Sequence, residues 1–124
     1  MSLFLSLGSD QHELSSAALE QGLHGVLEAL GRRSRVLVVP PDFTRYYSRA
    51  GELTACAYRF YGQALRAVLP AVGTHAPVSP EQLEKMFVGV PPALFHHHNW
   101  RKDVVRLGEV PSAYVRELSE GKLD

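Results

Sequence analysis

The stretch Val36-Leu37-Val38-Val39-Pro40-Pro41-Asp42-Phe43-Thr44-Arg45 decides the fold. Its first four residues are apolar without alternation and rich in β-branched side chains, the pattern of a strand buried on both faces of a parallel sheet. Two prolines must end that strand, because proline lacks a ladder donor and restricts the residue before it. Asp42 to Arg45 therefore becomes a strand-end loop. Arg32, Arg33 and Ser34 make the turn that leads in.

Working outward, Leu19, Leu23, Val26, Leu27 and Leu30 recur at three- and four-residue steps and predict a helix, with Ser15 or Ser16 to cap it and Gly31 to end it. Leu3 to Leu7 reads as a first strand. After the central loop, Leu53, Ala57, Phe60, Tyr61, Ala64 and Leu65 make the stripe of a second helix, with Arg59 and Gln63 pointing outward. Ala67 to Val72 reads as another strand, in which Pro70 marks an edge or an irregularity, and Gly73-Thr74-His75 is its terminal loop. Ser79-Pro80-Glu81-Gln82 combines a capping serine, proline at the first helical position and glutamine three residues after the cap. It starts a short helix through Leu83, Met86 and Phe87 that ends near Gly89. A strand at Val104 to Leu107 and a helix from Ser112 to Leu118, with Gly121 beyond, complete the reading. This alternation predicts an α/β fold: a three-layer, mainly parallel, Rossmann-like sheet of about four strands with helices on its faces, in one domain over residues 1–124.

Composition fits a packed domain, with 45% hydrophobic and 21% charged residues in 124. Thirteen Lys plus Arg balance thirteen Asp plus Glu, so no basic field favours nucleic acid or an anionic membrane as partner. Cys56 is the sole cysteine, so an internal disulfide is excluded and a reducing, cytoplasmic setting is expected. No apolar run approaches the roughly 20 residues needed to span a bilayer, and the amino end does not read as a signal peptide.

In parallel α/β sheets, ligands bind beyond the carboxyl ends of the strands. Two loops here qualify. In the first, Asp42, Thr44 and Arg45 offer an acceptor, a hydroxyl and a cationic fork suited to carboxylate or phosphate; the plainer reading is an Asp that caps the next helix and a solvated Arg. In the second, Gly73 permits close backbone approach and Thr74 leads to His75, whose ordinary pKa of about 6.5 suits a general base; the plainer reading is a loop hydrogen bonder. His96-His97-His98 suggests a metal, yet neighbours on an extended segment alternate in direction, so at most two could reach one ion. No metal site is expected within this chain. No C-x-x-C, H-E-x-x-H, Walker or G-x-G-x-x-G sequence occurs, and no nucleophile elbow holds a serine. Trp100 and Tyr46-Tyr47 read as packing residues at a loop edge.

Three segments together, Pro41-Asp42-Phe43-Thr44-Arg45, Pro70-Ala71-Val72-Gly73-Thr74-His75-Ala76-Pro77 and the W-R-K-D-V-V-R-L-G-E-V-P run from Trp100 to Pro111, resemble in order and spacing the amino-terminal region of the lactate racemase family. That family uses a nickel-pincer nucleotide cofactor. The resemblance covers roughly Ser34 to Gly121; each motif is short, and the combination carries the specificity.

The resemblance implies inversion of a 2-hydroxy acid centre by hydride transfer to the cofactor and back. It implies that His75 is one of two histidines that take and return the hydroxyl proton, that Arg45 holds the substrate carboxylate, and that Asp42 and Thr44 line the pocket. The family's second histidine, its cofactor-linking lysine and its nickel-ligating histidine lie farther along, in and after a histidine-then-G-G-[RN]-K segment. The chain stops at Asp124 before them. It is therefore expected to be the amino-terminal part of a longer two-domain enzyme, inactive alone, with no cofactor bound and with apolar surface that would favour self-association in the absence of its carboxyl-terminal lobe. Tyr46 and Ala76 stand where lactate racemase itself carries proline and arginine, which leaves the identity of the hydroxy acid open, and His98-Asn99 stands where relatives often carry His-Asp. The competing expectation is a non-enzymatic α/β module that binds a small anion at the same two loops.

Overall fold

The computed structural model describes residues 3–123, and its element order is α1 (Ser16–Leu30), β1 (Val36–Val38), α2 (Ala50–Tyr61), β2 (Leu65–Val68), α3 (Pro80–Met86) and α4 (Ser112–Leu118), with 3₁₀ turns at Phe43–Ser48, Gly62–Ala64 and Pro92–Leu94. It is a mixed α/β fold. β1 and β2 pair in parallel as expected, but β1 is not buried on both faces: Leu37 and Val39, on one face, are each 56% exposed, because among the described residues no helix covers that side. The ladder runs on past both strands: the N–H groups of Leu69 and Ala71 donate to the carbonyls of Val38 and Pro40 at 2.9 and 2.8 Å. Pro70 falls between these two donors, so its missing N–H removes no bond to β1. On the far side of β2, Phe95 makes a parallel bridge to Val68, and the His96 N–H donates to the Val68 carbonyl at 2.9 Å. β2 is thus flanked on both sides.

Where about four strands were expected, two form among the described residues. Leu3 to Leu7 is not a strand. Leu5 and Leu7 instead help line an apolar groove along α1, where Gly22 leaves room for Leu5; a Cβ at Gly22 would come within 2.9 Å of the Leu5 methyl. Val104 to Leu107 is not a strand either: the segment pairs with no strand among the described residues and stays in solvent, with Leu107 99% exposed. The second strand also begins earlier than its apolar run implied. α2 stops at Tyr61, Gly62 turns at a φ of 51°, and one 3₁₀ turn delivers Leu65 directly into β2. The helical stripe extended through Ala64 and Leu65 because that turn keeps their spacing close to helical.

The helix signals hold. Ser15 accepts the Ala18 N–H at the start of α1, and Gly31 ends it at a φ of 76°. Ser79 and Gln82 form the complete reciprocal capping box of α3, with Pro80 at the first position. α1 packs on α2, and the core gathers where α2, β2 and α3 meet, around Ala55, Leu65, Val68, Met86, Phe87 and Val90. Gly51 is what allows α2 to touch the end of α3, because a Cβ there would lie 1.8 Å from the Met86 carbonyl oxygen. Arg49 precedes α2 in the left-handed region at a φ of 62°. Its guanidinium donates to Glu52 and reaches back to the Leu14 carbonyl and the Ser16 hydroxyl, which ties the start of α2 to the start of α1. Among the described residues, no helix is long and apolar enough to cross a membrane.

Candidate functional site

The continued ladder fixes the site. Because Ala71 bridges Pro41 in parallel, the loops that follow β1 and β2 leave the sheet side by side at its carboxyl rim. Asp42 opens the first loop and caps the 3₁₀ turn: its Oδ1 accepts the Thr44 N–H at 3.0 Å and the Thr44 hydroxyl at 2.5 Å. Its other oxygen, Oδ2, lies 2.6 Å from Nδ1 of His75 in the second loop. Gly73 at a φ of 56° and a His75 N–H to Val72 carbonyl bond of 2.9 Å form the turn that presents the imidazole.

Burial and exposure divide the pair. The Asp42 side chain is 8% exposed and that of His75 is 58% exposed. Burial pushes the Asp42 carboxyl up, but the Thr44 hydroxyl, His75 and the Thr44 N–H together outweigh it and hold the carboxyl below its ordinary value. A carboxylate can only accept, so Nδ1 of His75 carries the proton it donates. In the neutral ring this tautomer leaves the lone pair on Nε2.

Asp42, Thr44, Gly73, Thr74 and His75 therefore come together. The Arg45 side chain does not join the contact: it is exposed, and its guanidinium makes no hydrogen bond or ion pair among the described residues, while its backbone N–H donates to the Asp42 carbonyl at 3.0 Å. The plainer readings of Asp42 as a cap and of Arg45 as solvated are both realised, yet the cap is also the histidine's partner.

A cleft of about 550 Å³ opens beside the imidazole, with Thr74, His75 and Pro77 contributed by the second loop and His98, Trp100 and Arg101 by the segment after Phe95. The Arg101 guanidinium lies 4.0 Å over the Trp100 ring. His97 joins the lining and His96 does not. In the sequence Trp100 reads as a packing residue and His96 to His98 as a metal candidate, so the part of this segment in the cleft is missed. The signal that could have revealed it is a histidine pair running into adjacent Trp and Arg. Among the described residues, no three His, Cys, Asp or Glu side chains are placed to hold a metal ion.

No protein-family model matches the chain, and no curated protein matches it. A crystal structure of a protein from Thermotoga maritima, from the Northeast Structural Genomics Consortium, shares the fold with a TM-score of 0.67 and 27% sequence identity. The likeness covers 86% of this chain and 27% of that one, so the chain spans about a quarter of the length of the protein it matches.

Proposed function

We propose that this chain is the amino-terminal part of a racemase or epimerase of 2-hydroxy acids, in which His75 is a proton base held by Asp42. The observation that carries this reading is the 2.6 Å contact between His75 Nδ1 and Asp42 Oδ2 at the carboxyl rim of the sheet. With Nδ1 committed to Asp42, Nε2 takes the proton of a substrate hydroxyl in the adjoining cleft as the carbinol becomes a ketone, and returns it on the way back. Asp42 steadies the imidazolium formed in between. Arg45, exposed on the same loop, is the carboxylate clamp.

A nickel-pincer nucleotide belongs to the same proposal, with the residues that link it and ligate its nickel supplied by the longer protein. The cleft's volume lies within the range of small-molecule pockets, and no carboxylate lines it to repel a phosphate. When bound, the cofactor supplies the acceptor for the substrate's hydride; this chain handles the proton. A longer protein would add the second base, the cofactor-linking residues, and the further strands and third layer of the sheet. Cytoplasmic location and a carboxyl-terminal lobe as partner belong to the same proposal.

The test is racemisation of 2-hydroxy acids by the full-length protein and its His75→Gln variant, with nickel content measured alongside. The expected outcome is nickel in both proteins and a loss of about 10²-fold or more in kcat for the variant. A nickel-free protein without racemisation that still binds small carboxylates would instead establish the anion-binding module, for which the unpaired Arg45 guanidinium is the supporting observation.

A further inference from the structure

The cleft beside His75 is larger than a small hydroxy acid requires. Lactate has six heavy atoms, and at on the order of 30 Å³ for each water-sized group displaced it would fill about a third of the space. What remains is shaped by Trp100 and Arg101. Trp100 is half-buried and Arg101 is exposed, with the guanidinium carbon 4.0 Å over the centre of the indole. A guanidinium held this close over a ring is restrained by it, and because Arg101 is exposed its side away from the indole is open to a second planar group. Pro77 and Ala76 supply apolar surface within the same cleft.

The charges around it point one way. No carboxylate lines the cleft. Asp42 is buried behind His75 and taken by it and by Thr44. Asp103, two residues beyond Arg101, accepts the Asn99 N–H at 2.8 Å and closes that turn from within. The Arg101 guanidinium makes no ion pair among the described residues, while the exposed Arg106 and Lys122 farther along the chain are paired with Glu109 and Glu120.

We propose that the Trp100–Arg101 ledge is a binding site for an aromatic ring attached to a carboxylate, so that the hydroxy acid taken beside His75 carries an aryl substituent. The ring site stands on the cleft alone; that its occupant is the substrate rests on the racemase reading. The same chemistry, a flat ring joined to an anion, could also come from a mononucleotide, and the probes separate the two.

Trp100 is the only tryptophan in the chain, so its fluorescence reports the ledge directly. The 124-residue chain is titrated with 3-phenyllactate, with lactate and with AMP, exciting on the red side of the indole band. The expected result is a saturable change with 3-phenyllactate, at least tenfold weaker or absent with lactate, and at least tenfold weakened by Arg101→Ala. Arg101→Lys, which keeps the charge but not the flat face, should recover little of the loss. A response to AMP without one to 3-phenyllactate would overturn the substrate assignment and give the ledge to a nucleotide. No saturable response to either probe, or one that Arg101→Ala leaves unchanged, would overturn the site. Racemisation by the full-length protein is scored separately: ring binding here without racemisation there refutes the reaction and keeps the ledge, while racemisation of lactate with no aryl preference does the reverse.

Discussion

Asp42 and His75 are 33 residues apart in the chain, yet Oδ2 of one lies 2.6 Å from Nδ1 of the other, a buried carboxylate against an exposed imidazole. The direction of that hydrogen bond sets which ring nitrogen is left to meet a substrate. In Asp42→Asn the amide keeps an oxygen for Thr44 and turns its NH₂ toward His75, so Nδ1 must accept and the ring proton moves to Nε2. Nε2 then cannot take a proton. For the full-length protein, kcat for racemisation is expected to fall by about 10²-fold or more with KM little changed, and steady-state kinetics on the purified variant check it. Full activity in the variant would remove Asp42 from the mechanism.

The same carboxyl makes folding sensitive to acid. Its pKa is lowered on folding from the ordinary 3.8. A lowered carboxyl stabilises the fold fully above the unfolded-state value and loses that contribution as pH falls through the folded-state value. Denaturant unfolding of the 124-residue chain is therefore expected to show stability roughly constant from neutrality to about pH 5 and falling below pH 4. Asp42→Asn should make that fall shallower. It should not abolish it, because hydrogen bonding from Arg49 and Ser16 lowers Glu52 as well, against a smaller upward push from burial.

At the start of α3, Ser79→Ala removes one half of a reciprocal pair, leaving the Gln82 N–H without its acceptor. The loss expected is about 1 kcal/mol, read as a shift of the urea midpoint at unchanged slope. Gln82→Ala removes the bond to the Ser79 N–H and should cost less, since that N–H can turn to water more easily than one inside the turn.

Gly51→Ala should be far more damaging than a single methyl suggests. The added carbon meets the Met86 carbonyl at 1.8 Å, and that atom is backbone at the end of α3, beside the core residues Met86 and Phe87. Relief requires α2 and α3 to separate, at a cost of roughly 2–3 kcal/mol in a thermal or denaturant melt. Gly25→Ala, on the open side of α1 with nothing near its Cβ, is the control, and should be neutral or slightly stabilising.

Local chemistry was readable where it was sufficient. Ser15, Gly31 and the Ser79–Gln82 box each act within four residues, and the prolines after Val39 had to end β1 wherever the rest of the chain went. Leu3 to Leu7 and Val104 to Leu107 have strand-like composition, but a strand exists only beside a partner, and neither segment has one among the described residues. Asp42 and His75 were separately visible as candidates. Their contact was not, because it depends on which residue of one strand stands opposite which residue of the other. Trp100 and Arg101 were hidden for a similar reason: they reach the cleft only because Phe95 and His96 attach to the far side of β2.

The pairing of Pro41 with Ala71 works as a ruler for the chemistry at the rim. Slipping one strand past the other by a single residue would displace His75 from Asp42 by about 3.3 Å, more than the whole length of their hydrogen bond. The side chains that keep β1 and β2 in step, Val36, Val38, Leu65 and Val68, are not part of the cleft's lining. A substitution among them that left the protein folded could still silence it, by putting the base out of alignment with the acid that orients it.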